Sequence, residues 1–313
     1  MQHDVAPGLR VLEDRLAEAL ERLQEPGTAW VPPMAAPGGG VVLDVAILGA
    51  GMAGLAAGFA LKREGVARLV LFDPAPEGLE GPWATYARMR TLRSPKQLAG
   101  PALGLDALTF RAWFEAQHGT AAWEAMGKIP TGMWMDYLRW YRRVAGLEVR
   151  NGVGVARIEP QGALFRLVLS DGGVAFARHV VLATGRDGLG GPRLLPGFEP
   201  AWRGRFWAHS ADAIDFAALA GRQVVVVGAG ASAFDNAAAA LEAGCGRLTM
   251  LLRRASLPRV NSGKSMEGRG FWHGWHDLPA EWRWRLALSV ERRQTPPPHE
   301  SVRRVAAHAN ATL

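Results

Sequence analysis

The chain has one cysteine, four lysines, three tyrosines and no long apolar run. The single Cys245 excludes an intrachain disulfide and any C-x-x-C redox pair, and with it the disulfide reductases that work through such a pair. No apolar run reaches the ~20 residues needed to span a bilayer. Nothing at the start reads as a secretory h-region, so the sequence predicts a cytoplasmic protein without a membrane span. Lysine is so scarce that arginine supplies nearly all of the 36 basic charges, which against 29 acidic ones leave a net +7. That balance is compatible with nucleic acid. The arginines, however, are scattered through every segment with no nucleic-acid motif beside them, so a solvated surface with some affinity for phosphate accounts for them and no nucleic-acid partner is expected.

Against these shortages stand 38 glycines and a 49% hydrophobic content in 313 residues, enough for about two globular domains. The most informative stretch is residues 41 to 73. Val41 to Leu48 is an apolar run broken only by Asp44, short enough for a strand buried on both faces of a parallel sheet. Gly49, Gly51 and Gly54 follow at G-x-G-x-x-G spacing. The first allows a tight turn, the second lets backbone N–H groups approach a pyrophosphate, and the third lets a helix from Met52 through Ala53 to Glu64 sit close on the strand. Ala67 to Phe72 reads as the next strand. Asp73 ends it, about 20 residues after Gly54, where an acid accepts ribose hydroxyl hydrogen bonds. Strand, helix, strand and acid in register define a dinucleotide-binding βαβ unit.

Upstream, Leu9, Leu12, Leu16, Ala19, Leu20 and Leu23 share one face of an amphipathic helix that Pro26-Gly27 ends, and Pro32 to Gly40 reads as a linker. Downstream of Asp73 lies a long Gly/Pro-rich loop of the kind that carries function. Thr109 predicts a helix start running to about His118, and Thr131 another. The second helix has an apolar stripe of Met133, Trp134, Tyr137, Leu138, Tyr141 and Val144 that reads as core. Residues 153–159, 163–169 and 174–178 alternate as a small antiparallel meander, followed by a separate strand, His179 to Ala183. Its end, Ala183-Thr184-Gly185, gives the backbone a second close approach to a nucleotide.

A second copy of the nucleotide pattern follows. Gln223 to Val227 is a strand, and Gly228, Gly230 and Ala233 give G-x-G-x-x-A, with Ala231 and Ser232 opening the helix. Leu248 to Leu252 is the next strand, with Arg253 and Arg254 at its end. Arginine there accommodates the 2′-phosphate of NADP, whereas an acid would favour NAD; two surface arginines on a basic protein is the alternative. The fold predicted is α/β, with two Rossmann-like dinucleotide-binding domains having three-layer parallel sheets and a small antiparallel meander.

Two nucleotide folds in one chain, the first joined by an Ala-Thr-Gly strand before the second begins, resemble the flavoprotein monooxygenases that use FAD and NADPH: the flavin-containing, Baeyer–Villiger and N-hydroxylating groups. Residues 219–237, LAGRQVVVVGAGASAFDNA, are similar to that superfamily's second nucleotide motif. Gly81-Pro82-Trp83 stands where a Gly-x-Trp commonly lies beside the flavin, and His209-Ser210 resembles the fingerprint around a linker histidine, placed one residue later than usual after Gly204. Thr91 to Lys96 resembles a Thr-Asn-x-Ser-Lys segment but holds Arg93 where the asparagine would be. The resemblance implies FAD on the first motif and NADPH on the second, with a small-molecule substrate and O2 as the other partners. NADPH reduces FAD, and a flavin C4a-(hydro)peroxide oxygenates a nucleophilic or carbonyl substrate. Arg93 and Arg254 are the implied catalytic charges against the peroxide and Trp83 the wall of the flavin, with core packing and a phosphate contact as the plain alternatives for Trp83 and Arg93. An NADPH oxidase and a non-catalytic remnant share every glycine quoted.

The domain layout expected is 1–40 as helix and linker, 41–200 as the FAD domain, and 201–313 as an NADPH domain with a Trp/Arg-rich tail. After Leu252 only Leu286–Val290 and Val302–Val305 look strand-like, so the second sheet is expected to be unfinished and the chain to lack the C-terminal part of its fold, with self-association into a homo-oligomer compatible with that. Trp272, Trp275, Trp282 and Trp284 read as covered by further protein rather than as a membrane belt. His273, His276 and Asp277 lack a further ligand at useful spacing, so no metal is expected.

Overall fold

The computed structural model describes residues 7–313 except Arg186, Asp187, Leu189, Arg193, Arg254, Ser262 and Gln294, and only the backbone of Ser265, Glu267, Arg269 and Arg293. The chain folds as two compact units, Met1–Leu195 and Pro196–Leu313.

In the first unit the elements run α1 (Pro7–Arg22), β1 (Leu43–Leu48), α2 (Met52–Arg63), β2 (Leu69–Asp73), α3 (Phe110–Ala125), α4 (Thr131–Ala145), β3 (Val149–Asn151), β4 (Val155–Gln161), β5 (Leu164–Leu169) and β6 (Val174–Leu182). They build one six-stranded sheet in the order β3-β2-β1-β6-β5-β4. The first four neighbours run parallel and the last two pairings are antiparallel, so the sheet is mixed. The predicted break at His179 is absent. A single strand, β6, pairs antiparallel with β5 through Val174–Ala177 and parallel with β1 through Ala177–Leu182, and ladder bonds on both sides keep it continuous.

Side-chain alternation along β1 and β2 sorts the two faces. Val45, Ile47, Leu69 and Leu71 pack into the core with α1 to α4, whereas Ala46, Leu48, Val70 and Phe72 pack against Leu167, Leu169 and Ala177 of β5 and β6. The helical layer is aromatic at its centre, with Phe110, Tyr137 and Tyr141 fully buried, which confirms the core reading of the α4 stripe. Thr109 caps α3 as predicted, its hydroxyl accepting from Ala112 N–H at 3.1 Å. The helix that Thr109 starts runs to about His118 as predicted; Gly119 (φ 79°, ψ 164°) is non-helical and kinks the chain, and a second helical stretch continues to Ala125. Thr131 does not cap α4. Pro130 holds that position, and the Thr131 hydroxyl instead donates to the Met89 carbonyl at 2.7 Å, fastening the long loop to the helix.

The second unit contains β7 (Gln223–Val227), α5 (Ala231–Glu242), β8 (Arg247–Leu251), α6 (Arg269–His273), α7 (Ala280–Arg293), α8 (His299–Ala306) and β9 (Ala311–Thr312). Both runs expected as strands are helical: Leu286–Val290 lies in α7 and Val302–Val305 in α8. Pro298 at the α8 N-cap needs no N–H partner there, and the alternation of apolar and arginine residues in ESVRRVA puts Val302 and Val305 on one helical face. The tail also returns to the sheet. β9 pairs parallel with β8, giving the order β7-β8-β9, and Val305 is buried beside Phe234 and Leu241 of α5. Among the described residues no helix is long and apolar enough to cross a membrane.

Candidate nucleotide-binding sites

The first site is assembled where β1, β2 and β6 end side by side. Gly49 has φ +105°, a backbone region L side chains avoid, and a Cβ there would lie 2.4 Å from the Ala183 carbonyl oxygen. Gly54 is as constrained, since its Cβ would lie 1.9 Å from the Gly49 oxygen, so the first turn of α2 rests directly on the turn that precedes it. Gly51 is the N-cap of α2 and no side chain caps it. The N–H groups of the first helical turn, beginning with the exposed Met52 and Ala53, therefore lie at the positive end of the helix, where an anion satisfies them. The buried Asp73 closes the turn: its Oδ2 accepts from Ala50 N–H at 2.7 Å and its Oδ1 from Ala75 N–H at 2.8 Å.

Gly81 stands opposite the turn, its Cα 3.8 Å from where a Gly51 Cβ would be. Trp83, two residues on, is half-buried and meets Trp134 edge-on at 6.4 Å. Ala183-Thr184-Gly185 lies beside Gly49 as expected, with Gly185 at φ +75°. Arg93 is exposed on the segment that Leu92 N–H ties to the Ile129 carbonyl. Lys96, from the same segment, is buried and structural. Its ammonium donates to the Trp123 and Met126 carbonyls at the end of α3 and lies 4.7 Å from the centre of the Trp123 ring.

A cavity of about 270 Å³ opens beside Ala50 and Gly51, bounded by residues 77–80 and by Arg139 and Arg142 of α4. No periodicity or motif in the sequence marks this wall. Glu80 is buried and accepts from Arg142 Nη1 at 2.6 Å and Asn151 Nδ2 at 2.7 Å, while Arg139 donates twice to the Gly78 carbonyl. A cradle closed by glycines and an uncapped helix start fit the pyrophosphate of a dinucleotide, and the adjoining cavity is charge-balanced, with Arg142 paired to Glu77 and Glu80 and Arg139 to Asp136.

The second site repeats the turn more openly. Gly228 has φ +130° and donates to the Leu251 carbonyl at 3.0 Å, binding the turn to the end of β8. Its Cβ would lie 3.5 Å from Ala233 Cβ, ordinary contact, which is why alanine serves as the third residue of this motif. Gly230 caps α5 without a side-chain hydrogen bond, and Ala231 and exposed Ser232 form the first turn. Arg253 is exposed just beyond β8; Arg254 lies outside the described residues. His209 sits in a local turn where its N–H donates to Asp212 Oδ2 at 2.8 Å and its Nδ1 accepts from Ala211 N–H, with Ser210 between. The hydrogen bond from Arg203 holds the Asp212 carboxyl below the usual carboxylate range. Among the described residues no cluster of His, Cys, Asp and Glu is arranged to hold a metal ion.

Two glycine turns, each at the N-terminus of a helix that follows a parallel strand, define a protein with two dinucleotide-binding folds. The chain belongs to the pyridine nucleotide-disulphide oxidoreductase family, whose model matches residues 46–267. Cys245, the only cysteine, is buried and its thiol is pushed up by that burial, so no redox pair accompanies the match. The chain is 47% identical over 307 residues to the FAD-dependent urate hydroxylase of Xanthomonas campestris pv. campestris, covering 97% of this chain and 65% of that protein's length. In structure it is similar to the ornithine hydroxylase of Pseudomonas aeruginosa (TM-score 0.69, 18% identity, 85% of this chain and 69% of that one). It is also similar to the ornithine N-hydroxylase of Kutzneria sp. 744, solved with reduced FAD, NADP+ and L-ornithine (TM-score 0.66, 16% identity, 87% and 71%). At these identities the structural likeness is one of fold. The resemblance to flavoprotein monooxygenases drawn from the motifs is matched in the fold of these structures.

Proposed function

We propose that the chain is the nucleotide-binding part of an FAD-dependent hydroxylase that takes its electrons from NADPH and acts on urate or a related oxidised purine. The observation that carries the reading is the Gly49-Gly51-Gly54 turn closed by Asp73 in a chain 47% identical to a urate hydroxylase. FAD supplies hydride acceptance and oxygen activation when bound. The residues of this chain hold and orient it: the α2 N-terminus takes the pyrophosphate, Asp73 the ribose, the ion-paired Arg139 and Arg142 bound the adjoining cavity, and Trp83 lines the flavin. Gly228, Gly230 and Ser232 take the second nucleotide, with Arg253 beside its 2′-phosphate and His209-Ser210 on the approach. The catalytic charges assigned to Arg93 and Arg254 and a cytoplasmic location belong to the same reading.

The test is to load the 313-residue chain with FAD, reduce it anaerobically with NADPH, and admit oxygen with and without urate. Urate loss in step with NADPH consumption supports the hydroxylase. Peroxide formed with urate untouched supports the second reading, an NADPH oxidase, which the exposed Arg93 in place of an asparagine favours. An absence of flavin reduction contradicts both.

A further inference from the structure

We propose that aromatic residues of the first unit form an electron-transfer chain leading from Trp83 to Trp140, where Glu13 receives the proton. The inference rests on the reading that FAD binds over the first glycine turn with Trp83 at its flavin. Ring centroids are 6.4 Å apart for Trp83 and Trp134, 5.0 Å for Trp134 and Tyr137, and 5.9 Å for Tyr137 and Trp140. All three spacings are contact distances for aromatic pairs. Trp134, Tyr137 and Trp140 succeed one another at three-residue steps on α4, so the helix itself sets the row.

Indole and phenol are the side chains most readily oxidised by one electron, but an unbroken core of them is common, and ring contact alone assigns no role. Direction comes from where a proton can leave. The Nε1 of Trp134 is buried without a hydrogen-bond acceptor among the described residues, and Tyr137 gives its hydroxyl hydrogen to the Leu108 carbonyl at 2.6 Å, which is no base. A positive charge left on either ring is buried and uncompensated. Trp140 differs. Its Nε1 donates to Glu13 Oε1 at 3.0 Å, and that carboxylate reaches solvent at the contact of α1 with α4, with a side-chain exposure of 23%. Oxidising equivalents entering at Trp83 therefore come to rest at Trp140.

The step balances with photoexcited oxidised FAD as the oxidant. Trp83 gives one electron to the flavin, Trp134 refills Trp83, and Trp140 refills Trp134 across Tyr137. The Trp140 radical cation would then pass its Nε1 proton through Glu13 to solvent, leaving a neutral indolyl radical and a carboxylate still paired with Arg143, while the bound FAD would have taken up the one electron.

The experiment excites the flavin of the FAD-loaded 313-residue chain with a short flash and follows transient absorption, after flavin retention has been measured by gel filtration. The expected result is a long-lived neutral indolyl radical in the wild type and its loss in both Trp140→Phe and Glu13→Gln, with FAD affinity and circular dichroism retained. Trp30→Phe, whose indole donates to the Glu64 carbonyl away from the row, keeps the signal. Glu13→Gln preserves an acceptor for Trp140 and removes only the base, so a packing role alone does not predict its effect. Retained FAD with no long-lived radical, or with an undiminished radical in both variants, overturns the chain alone. Failure to retain FAD overturns the chain together with the proposed function.

Discussion

The backbone N–H of Ala50 donates to Asp73 Oδ2 at 2.7 Å, so the acid at the end of β2 holds the glycine turn at the end of β1. Asp73 has a local task besides any ribose contact, because its second oxygen fixes Ala75, at the start of the loop that returns to Gly81. Asp73→Ala leaves both N–H groups without this acceptor, at about 1–3 kcal/mol for each one that stays buried and unpaired. We expect a lower melting temperature without ligand and a further loss of FAD affinity, with Asp73→Asn falling between. Thermal denaturation with and without FAD separates the two effects, and equal melting of Asp73→Ala and wild type would remove the acid's structural role.

Glu13 links α1 to α4 through Trp140 and Arg143. Burial works against its charged form, yet the hydrogen bonds from Arg143 and Trp140 outweigh burial and hold the carboxyl below the usual carboxylate range. A carboxyl depressed in the fold contributes stability above its unfolded pKa and loses it as pH falls through the folded value. Docking of α1 is therefore expected to be intact at neutral pH and to weaken only in acid, below the ordinary carboxylate range. In Glu13→Gln this acid-sensitive component disappears. Proteolysis of the α1 segment as a function of pH checks both statements, and identical pH profiles for wild type and variant would contradict them.

The glycine turns were readable because their residues answer to main-chain geometry alone: a positive φ at Gly49 and Gly228, and no room for a side chain at Gly54. Such demands act over a few neighbours and leave a fixed spacing. The cavity wall was not readable, because Glu80 and Arg142 meet across 62 residues and neither belongs to a periodic pattern. Short apolar runs gave the clearest misreading. Leu286–Val290 and Val302–Val305 suit either strand or helix by composition. Here the prolines at 279 and 298, each just ahead of a helix, and the arginine-rich flanks decided for helix. β9 is only two residues long and had no pattern to find; it is placed by α8, which brings Asn310 to donate to the Cys245 carbonyl before the chain meets β8.

That return of the tail makes a prediction for the second unit. Ser301 of α8 donates its hydroxyl to the buried Asp235 of α5 at 2.6 Å, beside the exposed-edge pair of Arg304 with Glu242. Hydrogen bonds to charged groups contribute about 1.5–3 kcal/mol. Ser301→Ala should lower protection from hydrogen exchange in α8 and β9 by that order while leaving β1 and α2 unchanged. Uniform loss across both units, or none, would count against the packing described.

Arg253 is exposed just beyond β8, and the proposed function sets it beside the 2′-phosphate of NADPH. Arg253→Ala is expected to weaken NADPH binding far more than NADH binding, because only the former presents a 2′-phosphate. Isothermal titration of both cofactors to both proteins checks this. Equal losses for the two show that the side chain does not read the 2′-phosphate.

If the Gly49-Gly51-Gly54 turn is an FAD site, titration of FAD into the wild type and into Gly54→Ala distinguishes the two proteins. A Cβ at residue 54 meets the Gly49 oxygen at 1.9 Å, so α2 must lift off the turn, at a cost on the order of 1–3 kcal/mol. The expected result is one FAD per wild-type chain, bound with a rise in melting temperature, and loss of that binding in Gly54→Ala while the second unit stays folded. Wild-type protein that is folded yet neither binds saturating FAD nor gains stability from it contradicts an FAD site at this turn.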